Sequence, residues 1–250
     1  MARTDFPPRL CSAARCIGST AGPGSRACRT APLAYKPQFG VLIPVALLAG
    51  ARWNTIGAAA ATVTALVAVS SATLGGGVWQ AFIDSMNFTQ VVVLEQGGTG
   101  WENIQSIFSA ARMWGADVQS AYAIRIALAL TLAAALAWLW QSDAAFELKA
   151  SALASGSLLA TPYVLDYDLV VLAVAIAFLA RHGLNRGFHR YGISLLAAAW
   201  MAPLLSRGAA GATGIPLGLM LLLLTFVVTL RRAVRDRQAP ALNAHRVAQA

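Results

Sequence analysis

The chain is short of charge, and shorter still of acid. Only 12% of its 250 residues are charged, with 10 Asp and Glu against 19 Lys and Arg, where soluble domains carry about a quarter. With 58% hydrophobic residues and a mean hydropathy of +0.61, this balance excludes an ordinary soluble enzyme. Cysteine is confined to Cys11, Cys16 and Cys28, whose spacing fits no zinc pattern, and His182, His189 and His245 are scattered. No metal site is expected from such ligands. "LGGG" at 74 to 77 lacks a following Lys-Ser/Thr and so is no P-loop. No segment alternates as a strand does, and "DYD" at 166 to 168 is therefore not read as the Asp-x-Asp metal motif of soluble nucleotide-sugar enzymes, which ends a strand.

What is present is a series of apolar segments at 39 to 50, 53 to 74, 121 to 141, 148 to 161, 164 to 180, 191 to 205 and 215 to 230. The expected fold is all-α, a polytopic transmembrane helical bundle. Several segments fall short of the roughly 20 residues that span 30 Å of hydrocarbon. Together with Pro44, Pro162, Pro203 and Pro216, this predicts broken or re-entrant helices. The formal net charge of +9 comes from arginines in the N-terminal tail, the short loops and "RRAVRDR", a distribution that suits membrane topology and predicts no nucleic-acid partner.

Alternation of the segments puts Arg52, Lys149, Arg181, Arg186, Arg190, Arg231, Arg232, Arg235 and Arg237 on one side, which the positive-inside rule makes cytoplasmic. The opposite, external side holds Lys36, Arg207, "TPYVLDYD" and the long 75 to 120 connection. Two amphipathic helices are expected in that connection, one through Trp79, Phe82, Ile83, Met86 and Val93, the other through Ile104, Ile107, Phe108, Ala111 and Met113, both lying along the membrane face.

On this topology "YKPQ" at 35 to 38, "EQGGTGWEN" at 95 to 103, Arg112 and "TPYVLDYD" at 161 to 168 share one face. An aspartate at the bilayer centre costs roughly 2.5 to 3.5 kcal/mol, so Asp166 and Asp168 at an outer helix end are far cheaper. In a regular helix after Pro162, Tyr163, Asp166 and Tyr167 share a face, and Asp168 points about 200° away from Asp166. The plainer alternative for both carboxylates is helix capping. Lys36 and Gln38 flank Pro37 at a helix mouth, which suits a lipid phosphate; a snorkelling interface lysine is the alternative.

"YKPQFGVLIPVALLAGARWNTIGAAAAT", "NIQSIFSAARMWGA" and "ATPYVLDYDLVVLAVAIAFL", in that order, resemble the C-terminal half of glycosyltransferase family 87 over residues 34 to 232. The resemblance implies a GT-C-like bundle in a bacterial plasma (inner) membrane. It would transfer a hexose, expected to be mannose, from a polyprenyl-phosphate donor at the external face to a lipid or glycan acceptor, with no cofactor. It makes Lys36 and Arg112 candidate donor-phosphate partners, and Gln38, Asn103, Tyr163, Asp166 and Asp168 candidate sugar or acceptor contacts. The family's catalytic acid lies in a first external loop that this sequence does not show, so no catalytic residue is assigned. Residues 1 to 33, rich in Arg, Pro, Gly and Ser, are expected to be disordered or out of frame, and residues 233 to 250 a cytoplasmic tail. A transporter or channel, whose polar residues would sit at mid-membrane in repeated halves, and a non-catalytic remnant are the competing readings.

Overall fold

A computed structural model of the chain describes residues 37 to 248, with side chains described from 39 to 238. A 3-10 turn, Pro37–Gly40, leads into the short helix α1, Ile43–Ala49, and then α2, Trp53–Leu74. Next come α3, Gly77–Phe88, which runs on as a π-helical stretch Thr89–Glu95, a 3-10 turn Trp101–Asn103, and α4, Ile107–Met113. The rest is α5, Val118–Gln141; α6, Phe146–Ala160; a 3-10 stretch Asp166–Val171 continuing as α7, Leu172–Arg186; α8, Gly192–Thr213; and α9, Leu217–Ala248. The described residues hold no strand, only one isolated bridge between Ile104 and Leu165. Five helical stretches are long and apolar enough to cross a membrane: Trp53–Leu74, Val118–Gln141, Asp166–Arg186, Gly192–Thr213 and Leu217–Gln238. The protein is an all-α, multi-pass membrane bundle.

The bundle is organised around α6, which is too short to span at 15 residues, about 22 Å at 1.5 Å per residue. Nine of its residues are buried, among them Leu148, Leu158 and Leu159 and the small Ser151, Ala152, Ser155 and Gly156. Small side chains let neighbouring backbones approach closely. A Cβ on Gly156 would sit 3.2 Å from Phe226 of α9 and 3.5 Å from both Leu136 of α5 and Leu42 ahead of α1, so this position packs three neighbours at once. Leu132, Leu136 and Leu139 of α5, Leu172 of α7, Ala202 of α8 and Leu222 of α9 complete the core. Because α6 is wrapped by protein, the irregular backbone after it does not face lipid.

α2 stands outside the core: none of its 22 residues is buried. Its apolar surface is stable only in hydrocarbon, and there Thr62, Ser70 and Thr73 close their hydroxyls onto the carbonyls of Ala58, Leu66 and Val69 one turn earlier, each at 2.8 Å. α3 also buries nothing and shows Trp79, Phe82, Ile83 and Met86 at its surface, as an interfacial helix requires.

Three expectations need correction. α4 does not lie on the surface; Phe108 and Ala111 pack with Leu94 and Ala121 beneath the loop, because the hydroxyl of Ser106 accepts from the Ser109 amide at 3.2 Å and starts the helix facing inward. Pro203 does not break its span; α8 passes through it, with the flanking Ala199 and Ala202 buried against the core. The segment from 164 does not begin as an α-helix. It opens with six residues of 3-10 helix, because Asp168 ties itself to the Leu165 amide three residues back.

Two ends are distinguished by their side chains. At one, Lys149 donates to the Ser142 carbonyl at 2.6 Å, Arg181 pairs with Glu147 at 3.5 Å, and His182 meets Asp236 at 2.9 Å. This basic end gathers the arginines of the short loops. At the other, the loop end, Trp114 donates its indole N–H to the Gly214 carbonyl at 3.0 Å, tying the long connection to the α8–α9 corner. Asp117 caps α5 there by accepting from the amides of Gln119 and Ser120 at 3.2 and 3.3 Å. The Ser120 side chain, first, and that backbone hold its carboxyl below the usual range.

Candidate active site at the loop end of the bundle

The turn after α6 is held open by its own polar groups. Thr161 is buried and returns its hydroxyl to the Ser157 carbonyl at 2.8 Å. Pro162 cannot donate and disfavours helix before it, so the chain runs extended through Val164, whose carbonyl accepts from the Gln105 amide at 2.7 Å. The Ile104–Leu165 bridge beside it fastens the 95 to 113 loop to the aspartate turn.

The two aspartates then part. Asp168 is 5% exposed and accepts the Leu165 amide at 3.1 Å, while its own amide donates to the Leu165 carbonyl at 2.9 Å. Asp168 therefore serves as a turn cap whatever else it touches. Asp166 is half-buried, with one carboxylate oxygen, Oδ1, enclosed and without a hydrogen-bond partner, and Arg207 of α8 lies within its electrostatic reach. Tyr163 is half-buried and Tyr167 is exposed.

Across the bridge, Asn103 donates its side-chain amide to the Thr99 carbonyl and so shapes its own loop. Arg112 is similarly engaged: Nη1 donates to the Ala116 carbonyl at 2.7 Å, Nη2 to the Glu95 carbonyl at 3.3 Å, and the guanidinium lies over the Trp101 ring at 4.7 Å. Its Nε stays buried without a partner. Glu95 in turn accepts from the Tyr122 hydroxyl at 2.9 Å and from Gln90 at 3.2 Å. The sequence singled out neither Glu95 nor Tyr122, and the π-helical turn that delivers Glu95 has no local signature.

Asn103, Arg112, Tyr163, Asp166 and Asp168 thus stand on segments that the structure joins. Lys36 lies outside the described residues, as does the side chain of Gln38, whose backbone turn packs against α6. Two residues that sequence reasoning did not make site candidates, though it put Arg207 on this side, belong to the same end. Gln105 is 1% exposed, spends Nε2 on the Glu102 carbonyl at 3.1 Å, and leaves Oε1 buried and unpartnered; the second is Arg207. Four of the six buried polar atoms that lack a partner among the described residues, on Gln105, Ser109, Arg112 and Asp166, lie on these segments. A fifth, Arg125 Nε, is two turns into α5. Such atoms cost about 1 to 3 kcal/mol each when left unmade, so their concentration marks a place that a polar ligand or ordered water completes. No group of metal-ligating side chains is present among the described residues.

The chain was compared with known proteins. A family model, Glycosyltransferase family 87, matches residues 10–162, more than half of the 250-residue chain. The matched span includes Lys36, Gln38, Asn103 and Arg112 and ends before Tyr163, Asp166 and Asp168; it begins and ends upstream of the expected 34 to 232. No curated protein and no solved structure shows significant similarity. On the strength of the matched span, with a multi-pass helical bundle behind it, the chain belongs to glycosyltransferase family 87.

Proposed function

We propose that the loop end binds the phosphate and sugar of a polyprenyl-phosphate hexose donor, a mannosyl donor, at the external face of a bacterial plasma membrane. The sugar passes to a lipid or glycan acceptor. In that transfer the bond between the anomeric carbon and the phosphate oxygen breaks, an acceptor hydroxyl oxygen bonds to the same carbon, its proton goes to a base, and polyprenyl phosphate leaves. No residue described here is assigned as that base. Lys36 and Arg112, with Arg207 added because its charge reaches Asp166, supply positive charge for the phosphate. Gln38, Asn103, Tyr163, Asp166 and Asp168 are the sugar and acceptor contacts. A polyprenyl donor keeps its tail in lipid and its phosphate and sugar at headgroup depth, which is where this end of the bundle stands.

The observation that carries this reading is the Ile104–Leu165 bridge with unpartnered buried polar atoms on both sides of it. A transporter would need polar groups open at mid-bundle. The hydroxyls there are satisfied: Ser155 donates to the Ser151 carbonyl at 2.8 Å, Thr225 to the Leu221 carbonyl at 2.7 Å, and Thr229 to the Thr225 carbonyl at 2.7 Å.

The test uses the protein reconstituted in vesicles with polyprenyl-phosphate-[14C]mannose. Saturable donor retention, competed by polyprenyl phosphate and weakened at least tenfold by Asp166→Asn, supports the reading. Label appearing in a lipid or glycan product extends it to transfer. Retention that polyprenyl phosphate does not compete, or that Asp166→Asn leaves unchanged, overturns it.

A further inference from the structure

The basic end carries a second site that the sugar-transfer reading does not use. Val227, Leu230, Arg231, Val234, Arg235 and Gln238 recur at three- and four-residue spacing and line one groove of about 480 Å³ along α9, within the size range of small-molecule sites. Val227 and Leu230 come first along the helix, Val234 lies between the two arginines, and Gln238 closes the series, so the groove runs from hydrocarbon into two guanidinium groups that flank its last apolar side chain. Val227, Arg231, Val234 and Arg235 are exposed.

The arginines around it are differently committed. Arg232 donates to the Gly187 carbonyl, and Arg237 lies over the Trp138 ring at 5.4 Å. The carboxylates of this end are taken by others: Glu147 by Arg181 at 3.5 Å and Asp236 by His182 at 2.9 Å. Among the described residues no carboxylate pairs with Arg231 or Arg235. Arg235 has His189 beside one nitrogen at 2.9 Å, which holds its side chain against the α7–α8 loop with other N–H groups left over.

We infer that this groove binds an anionic phospholipid of the surrounding bilayer, with one acyl chain along Val227, Leu230 and Val234 and the phosphate on Arg231 and Arg235. The occupant follows from charge complementarity. A soluble anion would have no use for the apolar strip, and a zwitterionic lipid would gain less from two uncompensated guanidiniums at headgroup depth. Basic pockets at one membrane face hold anionic headgroups in this way. The site anchors the α7–α8 loop and α9 to the membrane surface, at the opposite end of the bundle from the sugar site.

The test is native mass spectrometry of the protein taken from vesicles of equimolar phosphatidylglycerol and phosphatidylcholine. Phosphatidylglycerol should be retained in preference. Each arginine contributes roughly fivefold to affinity near such a surface, so Arg231→Gln/Arg235→Gln should weaken retention by about 25-fold. Arg231→Gln alone, at a residue with no described bond, should fold normally and cost about fivefold. Val234→Trp should fill the strip and reduce retention with both arginines intact. Equal retention of the two lipids, unchanged retention in Arg231→Gln, or replacement of phosphatidylglycerol by polyprenyl phosphate would each overturn the assignment.

Discussion

Gln105 and Gly218 touch where the long loop meets the start of α9. A Cβ on Gly218 would stand 2.8 Å from Gln105 Oε1 and 2.7 Å from Ser206 Oγ. Glycine is therefore what lets the loop wedge a buried amide between α8 and α9, and that wedge holds the Ile104–Leu165 bridge in place.

Gly218→Ala should accordingly cost about 1 to 3 kcal/mol, the usual price of overpacking a filled site. Ser206→Ala, which removes the hydroxyl on one side, should restore part of the loss in the double variant. Thermal unfolding in detergent measures both. Equal melting of Gly218→Ala and wild type would show that the loop yields at no cost and that the wedge does not organise this end.

Arg112 offers a way to separate holding a loop from holding a donor. Its two carbonyl bonds and its stack on Trp101 all depend on a planar fork, which lysine cannot reproduce while keeping the charge. Arg112→Lys should lower the melting temperature, with donor affinity falling no further than the loss of loop order explains; Arg112→Gln should add a second, larger loss of donor retention. Identical donor retention in the two variants would leave Arg112 as a loop strut only.

Much of this architecture was legible because it follows from local pattern. Each expected apolar segment contains a helix, and the charge asymmetry grouped 95 to 103 with 161 to 168 before any contact joined them. What escaped depends on packing that no window of sequence contains. Gln105 in "NIQS" looks like an ordinary loop residue, and only the approach of α8 and α9 buries it. Asp166 and Asp168 were expected to diverge on a regular helix; the segment is instead a 3-10 turn, which ties Asp168 to Leu165. Pro203 read as an interruption because the missing N–H is visible in sequence, whereas the packing of Ala199 and Ala202 that keeps α8 continuous is not.

The sidedness rests on charge alone and has a direct check. Thr99 and Asn185 are both exposed, at the loop end and the basic end respectively. Thr99 is preferable to Gly98, where a Cβ would lie 2.8 Å from the Val92 carbonyl oxygen. In a background without Cys11, Cys16 and Cys28, Thr99→Cys should react with a membrane-impermeant maleimide in intact cells and Asn185→Cys only after permeabilisation. The reverse pattern would place the sugar site on the cytoplasmic side and remove the external donor.

The aspartate pair gives the sharpest division of labour. Asparagine at 168 still offers an oxygen to the Leu165 amide, so Asp168→Asn should keep the turn, whereas Asp168→Ala should lose about 1 kcal/mol as a cap. Asp166 has no such duty: its Oδ1 is enclosed without a partner, and Arg207 is the charge it faces. Asp166→Asn should therefore melt within error of wild type and yet retain donor at least tenfold more weakly. Arg207→Gln should reproduce part of that loss, since it removes the opposing charge from the same place. Melting curves and donor retention on the four variants decide the matter. A fully competent Asp166→Asn would remove the donor reading of this end, whatever Asp168→Asn does, and leave Asp166 as an interfacial residue with Arg207 as its long-range counter-charge.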